Sequence, residues 1–212
     1  MNYYPIFLNL QGRLCVVIGG GPMATEKVHG LLAAEAHVRV ITPEPSARIL
    51  QWVAEGAITC LARRYLPGDL AGAFLVISAT EDSALNAQVW AEAQTRNIPI
   101  NTVDDTPHCN FIAPSIARRG DLTVAISTSG KAPALAVRLR EKIETMLGAE
   151  HARFLELAGS LREPLAQHYP DFATRKALWY RLVDSDVLEL LRECNETAAR
   201  QRIYEIMGIT PA

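Results

Sequence analysis

Three consecutive glycines directly after a short apolar run constrain this chain more than any other feature of its sequence. The run covers residues 14–18, and the glycines occupy positions 19–21. The segment after them has helical periodicity, so the predicted order is a strand, a tight turn and the start of a helix. Gly19, Gly21 and Ala24 fit the spacing G-x-G-x-x-G/A. We expect Gly19 to make the turn, Gly21 to let a phosphate approach the backbone, and Ala24 to let helix and strand pack closely.

A helix start of this kind exposes backbone N–H groups without partners and positive dipole density, which together suit a pyrophosphate. The glycine spacing alone is weak evidence. Here the predicted strand before it and the predicted helix after it supply the context that a dinucleotide-binding fingerprint requires. We therefore predict a dinucleotide site at this turn, with a purely structural turn as the alternative.

Strand and helix patterns alternate over the first hundred residues. Four more strands are predicted, at residues 38–41, 58–61, 74–78 and 98–101. Between them we expect a helix over residues 22–34 with Met23, Lys27 and Leu31 on one face, a helix capped by Ser46, and a helix capped by Asp82 or Ser83. This order predicts an α/β fold, a Rossmann-type doubly wound parallel sheet over residues 1–112.

The pattern changes after residue 110. Residues 111–117 and 122–127 are predicted as strands joined by a turn at Gly120, which makes an antiparallel hairpin. Pro133 is expected to begin a helix with a stripe of apolar side chains at positions 135, 139, 143 and 147. A hairpin and one helix bury little surface alone, so pairing with a second copy is favoured. We predict a dimerisation element over residues 113–147 and a homodimer.

Residues 148–212 have a helical pattern throughout and are predicted to form an all-helical C-terminal domain. Pro164, Pro170 and Gly208 are expected to break the helices. Asp186 with Glu189 resembles a capping box. The apolar stripes in this part are predicted to face a core; they comprise Leu178, Leu182, Leu190, Leu191 and Cys194.

Composition excludes several classes of protein. The formal net charge of −2 gives no electrostatic footprint for nucleic acid. No apolar run approaches the roughly 18 to 20 residues that span a bilayer, and the first residues lack the pattern of a signal peptide. The four cysteines are widely scattered without a C-x-x-C pair, so zinc and disulfide frameworks are not expected. We predict a cytoplasmic protein with neither nucleic acid nor membrane as partner.

The end of the second strand bears on the choice of dinucleotide. An acidic residue that reads the adenine ribose is expected at position 41 or 42, but Ile41 and Thr42 stand there. The backbone at Pro43 and the side chain of Glu44 are the nearest candidates for this contact. Arg48 is the nearest base that could favour a 2′-phosphate, and a solvated helix position is the alternative for it. The sequence therefore favours NAD over NADP.

Polar residues follow the fifth strand, at the sheet edge where open parallel sheets bind ligands. Asp104 and Asp105 stand together there, and either could act as a general base. Because neighbours on an extended chain point opposite ways, at most one is expected to face the site. The alternative is that both cap the loop before Pro107. His108 and Cys109 are adjacent potential metal ligands without a third at a standard spacing, so a polar loop is favoured.

A second polar segment covers residues 127–131, directly before the helix predicted to begin at Pro133. It combines hydroxyls, loop N–H groups, a lysine and a helix N-terminus, which together suit an anion. The Walker A spacing is absent, so a carboxylate-bearing substrate is favoured over phosphate transfer. A plain N-capping turn is the alternative.

Together these segments resemble the precorrin-2 dehydrogenase family, the amino-terminal module of siroheme synthases. The matching segments are residues 5–8 (Pro-Ile-Phe-Leu), 17–21 (Val-Ile-Gly-Gly-Gly), 24–27 (Ala-Thr-Glu-Lys), 79–80 (Ala-Thr), 101–104 (Asn-Thr-Val-Asp), 111–115 (Phe-Ile-Ala-Pro-Ser) and 127–136 (Ser-Thr-Ser-Gly-Lys-Ala-Pro-Ala-Leu-Ala). The resemblance covers roughly residues 1–147. Glu35 and Ser129 depart from it, since relatives usually carry glycine at both positions.

The resemblance implies NAD-dependent oxidation of precorrin-2 to sirohydrochlorin in siroheme biosynthesis, with Asp104 as the catalytic residue that handles the proton. It also implies that the carboxylates of precorrin-2 bind near residues 128–131. Two alternatives remain: a bifunctional dehydrogenase and sirohydrochlorin ferrochelatase, and a non-catalytic domain that senses NAD(H). No methyltransferase module follows, so we expect methylation of the precursor by another protein.

The sequence and the resemblance together give the following site. The predicted cofactor-binding residues for NAD are Gly19, Gly21, Pro22, Met23, Ala24, Pro43, Glu44 and Thr80. The predicted substrate-binding residues are Asn101, Ser127, Thr128, Ser129, Gly130 and Lys131. No residue is predicted to bind a metal.

Overall fold

The computed structural model of the chain describes residues 3–209 and divides into two compact units, one ending at Ala113 and the other beginning at Pro114. The outermost residues of the first and last predicted domains lie outside the described residues, and the three-part division stays a prediction. Within residues 3–209 no helix is both long and apolar enough to cross a membrane.

The first unit is built around a five-stranded parallel sheet in the order β3-β2-β1-β4-β5. Its strands are β1 (Leu14–Ile18), β2 (His37–Ile41), β3 (Ile58–Leu61), β4 (Leu75–Ser78) and β5 (Ile100–Thr102). Its helices are α1 (Pro22–Leu32), α2 (Ala47–Ala54) and α3 (Ser83–Thr95), followed by a short 3₁₀ helix at Thr106–His108. The predicted parallel α/β fold is confirmed. The chain leaves β1 towards β2 and later returns to β4 on the other side of β1, which creates a topological switch point.

The sheet is buried on both faces, because its strands alternate between two apolar cores. Cys15 and Val17 of β1 face the core that holds α1 and α2, whereas Val16 and Ile18 face the core that holds α3. All four side chains are at most 1% exposed. This two-sided burial explains why the strands read as nearly continuous apolar runs.

The face predicted for α1 is partly wrong. The helix buries Ala24, Val28 and Leu31, while Met23 is 43% exposed. The shift follows from the Ala24 position, which packs directly against the glycine turn. Ser46 caps α2 and Asp82 caps α3 through side-chain oxygens that accept N–H bonds, as expected.

The second unit begins with an antiparallel hairpin of β6 (Ser115–Arg119) and β7 (Leu122–Ile126). Residues 111–114 do not join β6, so the predicted strand there starts too early. Gly120 makes the turn with a φ of 56°. Helix α4 (Pro133–Met146) begins at the predicted proline, and the guanidinium of Arg119 donates hydrogen bonds to the Leu147 and Glu144 carbonyls at its other end.

Five further helices complete this unit: α5 (Ala149–Ser160), α6 (Arg162–His168), α7 (Phe172–Val183), α8 (Val187–Arg192) and α9 (Glu196–Met207). They share a core that includes Leu165, Leu182 and Met207. Gly208 ends α9 in the left-handed region, as predicted. Pro164, however, lies inside α6 rather than at a break.

Two local predictions in these helices are wrong. Asp186 makes no capping bond; instead its carboxylate accepts from Arg202, 2.9 Å away, and the Ser185 hydroxyl accepts the Val187 N–H. Cys194 is exposed and follows α8 rather than facing the core.

An ion-pair network joins α5 to α9. The Arg153 guanidinium donates to both carboxylate oxygens of Glu196, at 3.0 and 2.5 Å, and Arg200 lies 2.8 Å from the same carboxylate. These two arginines, Arg153 first, hold the pKa of Glu196 at about 2, below its ordinary value of 4.5. Glu196 also stands in the first turn of α9, where a negative charge is favoured.

The network predicts a pH-dependent contribution to stability. A carboxylate with a lowered pKa in the folded state stabilises the fold above its unfolded pKa and loses that contribution as the pH falls. We expect Glu196→Gln to lower the melting temperature at pH 7, and the difference from the unmodified protein to vanish as the pH falls from 4.5 to about 2. Thermal melts followed by circular dichroism measure this.

Glu193→Gln is the matched control, because Glu193 is exposed and no ion pair is recorded for it among residues 3–209. A Glu196→Gln difference that persists undiminished at pH 2 would contradict the assignment.

Candidate active site

A groove of about 1040 Å³ lies at the carboxyl ends of four strands of the first unit. The glycine turn after β1 forms one wall, and residues 42–44 after β2 continue it. Residues 79–86 after β4, residues 103–105 after β5, and residues 64 and 65 in the loop after β3 also line it. This is the position, beside the switch point between β1 and β4, where open α/β sheets bind their ligands.

The first two glycines of the turn have no room for a side chain. A Cβ atom at Gly19 would overlap the carbonyl oxygen of Ala79, and φ at Gly19 is 120°. A Cβ atom at Gly20 would overlap the carbonyl oxygen of Glu44 and lie 2.6 Å from the Thr42 hydroxyl. The G-x-G-x-x-G/A spacing assigns no role to Gly20. The sequence did contain a sign that Gly20 is crowded: the G-x-G-x-x-G/A spacing requires glycine only at positions 19 and 21, yet all three positions are glycine.

Gly21 faces open space, since no atom lies within 4 Å of a Cβ built there. It is also the N-cap of α1, and no side chain bonds to the N–H groups of the first turn. Pro22 and Met23 follow it and line the groove. An open cradle beside uncapped helical N–H groups fits a pyrophosphate.

Ala24 is fully buried and does not line the groove. Its Cβ lies 3.7 Å from the position a Gly19 Cβ would take. Ala24 therefore lets α1 pack closely on β1 beside the glycine turn, as the spacing predicts.

Pro43 and Glu44 line the groove after β2, and both are exposed. The buried Thr42 hydroxyl accepts the Glu44 N–H at 3.2 Å and so fixes this corner. The exposed Glu44 carboxylate is the acidic group available to a ribose hydroxyl here. Arg48, considered above for a 2′-phosphate, instead lies over the Trp52 ring, 4.6 Å from its centroid, and is not part of the groove lining.

Arg64 was missed by the sequence analysis. It follows β3, is exposed and lines the groove. It places a positive charge in the cofactor groove that no sequence pattern indicates.

Thr80 lines the groove after β4. Its carbonyl accepts from the amide of Asn86, 3.1 Å away, and the Asn86 side-chain oxygen accepts from the Ser78 hydroxyl at 2.7 Å. Asn86 is 4% exposed and stands on α3. It ties the end of β4 to α3, a role that the sequence analysis also missed.

Asp104 and Asp105 both line the groove, which contradicts the expectation that only one would. The chain is not extended here: Asp104 has a φ of 59° in a turn that the Asp105 N–H closes on the Thr102 carbonyl. The Asp105 carboxylate is engaged by the imidazole of His108, with 2.7 Å between Oδ2 and Nδ1. The Asp104 side chain is exposed and, within residues 3–209, has no recorded hydrogen bond.

Asn101 is not part of the groove lining. Its side-chain amide donates to the Phe111 carbonyl at 3.1 Å and to the Cys109 sulfur at 3.4 Å. Within the first unit it therefore holds the loop after β5. In the part of the chain that the structure describes, no group of three or more His, Cys, Asp or Glu side chains could hold a metal ion.

The loop at residues 127–131 belongs to the second unit. The Ser127 hydroxyl accepts the Ser129 N–H at 3.0 Å, and the Thr128 hydroxyl accepts the Ala132 N–H at 3.2 Å. Ser129 and Gly130 both have positive φ, at 53° and 76°, which explains why glycine suits position 129. Glu35 also has a positive φ, of 58°, which explains why glycine suits position 35 as well. The bonds of the two hydroxyls order the loop ahead of α4, but its N-cap residue, Ala132, makes no side-chain capping bond, so the alternative of a plain N-capping turn is not supported. The substrate-binding role of the loop stays a prediction.

A five-stranded parallel sheet, a glycine turn without room for side chains and an uncapped helix start at a switch-point groove define a dinucleotide-binding protein. Comparison with known proteins agrees. Residues 6–115 match the family described as putative NAD(P)-binding. Residues 119–146 match the sirohaem biosynthesis protein central domain, and residues 150–207 match the sirohaem synthase dimerisation region.

Curated proteins and a solved structure are similar to this chain. The siroheme synthase of Methylobacillus flagellatus is 40% identical over 208 residues, which are 98% of this chain and 44% of that protein. The siroheme synthase of Photobacterium profundum is 38% identical over 210 residues, which are 99% of this chain and 45% of that protein. The chain thus spans less than half the length of these curated relatives. A solved structure of SirC, a precorrin-2 dehydrogenase, matches with a TM-score of 0.78 and 26% identity, covering 96% of this chain and all of that one.

The chain belongs to the putative NAD(P)-binding family, and the two sirohaem models match consecutive segments after that domain.

The glycine turn predicts that two neighbouring substitutions have different effects. Gly20→Ala forces its Cβ against backbone, so we expect a lower melting temperature without any ligand. Gly21→Ala has space and an extended backbone, so the free protein should melt normally. Its methyl group nevertheless occupies the pyrophosphate position, and we expect NAD affinity to fall by at least about tenfold.

Calorimetric titration with NAD and thermal melts check both expectations. Gly30→Ala, in the interior of α1 with open space around its Cβ, is the control and should raise stability by roughly 0.5–1 kcal/mol without affecting NAD binding. Normal NAD affinity in Gly21→Ala would place the pyrophosphate elsewhere.

Proposed function

We propose that this chain oxidises precorrin-2 to sirohydrochlorin, with NAD as the hydride acceptor, in siroheme biosynthesis. One observation carries the proposal: Asp104 lines the same groove as the glycine turn. A cofactor seated on that turn and a free carboxylate at the other side of one groove are the two groups that a dehydrogenation requires. Membership of the family and the similarity to a precorrin-2 dehydrogenase structure support it.

The cofactor residues act by holding and orienting. Gly21, Pro22 and Met23 receive the pyrophosphate at the start of α1, and Pro43 and Glu44 contact the adenosine ribose. The Glu44 carboxylate accepts a bond from a free 2′-hydroxyl and repels a 2′-phosphate, which favours NAD over NADP. Thr80, which lines the groove after β4, would contact NAD from that side. When bound, NAD supplies an acceptor for the hydride.

Asp104 handles the proton. Oxidation of precorrin-2 to sirohydrochlorin removes one hydride, which carries two electrons, and one proton from the macrocycle. The exposed Asp104 carboxylate accepts that proton and then releases it to water. The neighbouring Asp105 does not serve as readily, because its carboxylate is already bonded to His108.

The substrate residues suit an anionic macrocycle. Precorrin-2 carries acetate and propionate groups, and the loop at residues 127–131 offers hydroxyls, N–H groups and the exposed Lys131 ammonium ahead of α4. We place Ser127, Thr128, Ser129, Gly130 and Lys131 at these carboxylates. Asn101 contributes by shaping the loop that carries Asp104.

We further propose a homodimer. In the stripe predicted on α4, Leu135 and Leu139 are exposed, whereas Ile143 and Leu147 are half-buried. Val137 and Met146 of the same helix are exposed as well, so much of its apolar surface is uncovered within the described chain. The match of residues 150–207 to a dimerisation region supports a second copy as partner. The interface then draws on the helices after residue 148 as well as on the predicted element 113–147. These helices have a core of their own and form the C-terminal domain.

We propose a cytoplasmic location because all four cysteines are free thiols.

The two functional alternatives differ in the residues that they require. A ferrochelatase activity adds one step, the exchange of pyrrole protons for iron(II), in which Asp104 is again the available base. A sensor of NAD(H) requires the glycine turn and has no use for Asp104.

Replacement of Asp104 tests the proposal. With precorrin-2 and NAD under anaerobic conditions, we expect Asp104→Ala to lower the turnover number by about 10²- to 10⁴-fold, because general-base catalysis contributes that much. The affinity for NAD should not change, since the carboxylate lies apart from the glycine turn. Absorbance of sirohydrochlorin and calorimetric titration measure the two quantities.

Asp184→Ala is the matched control, because Asp184 is an exposed carboxylate after α7 in the second unit. Unchanged turnover in Asp104→Ala would remove Asp104 from the reaction. No turnover in the unmodified protein, with NAD still bound, would favour the sensor. Addition of iron(II) to sirohydrochlorin tests for the bifunctional enzyme. If the chain is bifunctional, the unmodified protein forms siroheme faster than the Asp104→Ala variant does.

A further inference from the structure

The turn that carries Asp104 is strained. Asp104 occupies the left-handed region, with a φ of 59°, although it has a side chain. This conformation is disfavoured for a residue with a side chain, although Asp adopts it more readily than most, so the surrounding contacts stabilise it here. The turn begins at Thr102, the last residue of β5, and is closed by the Asp105 N–H on the Thr102 carbonyl at 3.2 Å.

The sulfur of Cys109 bonds to both ends of this turn. It accepts the Thr102 N–H at 3.2 Å, and it lies within donor distance of the Thr102 carbonyl, at 3.1 Å, and of the Asp105 carbonyl, at 3.3 Å. The Asn101 amide donates to the same sulfur at 3.4 Å. Cys109 is 8% exposed and is not part of the groove lining, so it contacts the loop and not the ligand space.

The thiol suits this role because it both donates and accepts. Burial, the largest effect, raises the pKa of Cys109 above its ordinary value of 9.0, which keeps the S–H proton in place near neutral pH. A neutral thiol donates to a carbonyl oxygen, whereas a thiolate would be repelled by it. The same burial makes Cys109 a poor nucleophile, so a chemical role is not indicated.

Other bonds hold the outer part of the loop. The Thr102 hydroxyl donates to the His108 carbonyl at 2.8 Å, and the His108 N–H donates to the Asp105 carbonyl at 3.0 Å. Asn110 pairs with Ile100 through two further bonds. These bonds fix residues 106–110 against β5 and thereby fix Cys109. The backbone of His108 also bridges Thr102 and Asp105, whereas Cys109 bridges them through its side chain.

We infer that Cys109 is a positioning residue for Asp104: its thiol holds Thr102 and Asp105 together and so keeps Asp104 in the left-handed conformation at the groove. The inference rests on the proposed function insofar as Asp104 is the base of the reaction. Cys109 itself does not line the groove, so it would act through Asp104 and not by contact with a ligand.

Two substitutions of Cys109 separate hydrogen bonding from packing. Cys109→Ala removes every bond of the sulfur, and we expect the turnover number to fall by about 10- to 100-fold, because small misplacements of a catalytic group cost that much. The affinity for NAD should not change. Cys109→Ser keeps a donor and an acceptor, so its turnover should be much closer to that of the unmodified protein. Cys15→Ala is the control, since Cys15 is fully buried in β1 of the same unit and lies away from Asp104.

A double variant shows whether Cys109 acts through Asp104. If it does, adding Cys109→Ala to Asp104→Ala should change the residual turnover very little, because coupled residues are not additive. A full, additive loss in the double variant would overturn the inference. So would turnover in Cys109→Ala equal to that in Cys15→Ala.

A crystal structure of Cys109→Ala supplies a readout that needs no activity. We expect Asp104 to leave the positive-φ region and the Asp105 N–H to separate from the Thr102 carbonyl. An unchanged turn would overturn the inference even if the unmodified protein oxidises precorrin-2. Conversely, a protein that does not turn over precorrin-2 refutes the proposed function, and the conformation of Asp104 in the variant then decides the positioning role separately.

Discussion

The close approach of backbone to backbone at Gly19 and Gly20 is the constraint on which the site depends. The carbonyl oxygens of Ala79 and Glu44 occupy the space that side chains would need, so the ends of β1, β2 and β4 can meet only around glycine. This contact directs the chain into α1 with an uncapped first turn and places Gly21 in open space. The groove, its anion-binding end and the packing of Ala24 all follow from it.

The other end of the groove, at Asp104, depends on a hydrogen-bonded turn. Asp104 is held in a conformation that its side chain disfavours, and the bonds that hold it come from a loop closed through Cys109, His108 and Asn101. A strained residue at a groove is a recurrent feature of functional sites, where the surrounding structure stabilises it. In the proposed function the glycine turn binds NAD and the aspartate turn takes the proton, and both turns follow strands of the same sheet.

Much of this could be predicted from the sequence, because the signals were local. The apolar strands, the glycine spacing, the caps at Ser46 and Asp82 and the proline at the start of α4 depend on neighbouring residues, and the structure confirms them. Some of the failures involve contacts between distant residues, and others involve local backbone conformation. Asp186 bonds to Arg202 instead of capping its helix, and Arg64 and Asn86 reach the site from parts of the chain without a motif. Asp104 and Asp105 both line the groove because Asp104 lies in a left-handed turn. The expectation that neighbouring side chains point in opposite directions applies only to an extended chain.

The measurement that tests the central claim most directly is the stoichiometry of a single anaerobic turnover. The unmodified protein, in excess over precorrin-2 and supplied with NAD, is mixed rapidly, and NADH and sirohydrochlorin are followed together by absorbance. The account predicts that the two products appear at the same rate and in equal amounts, because the hydride passes directly to the cofactor in the groove. Sirohydrochlorin without an equal amount of NADH, or no reaction by a protein that binds NAD, would contradict it.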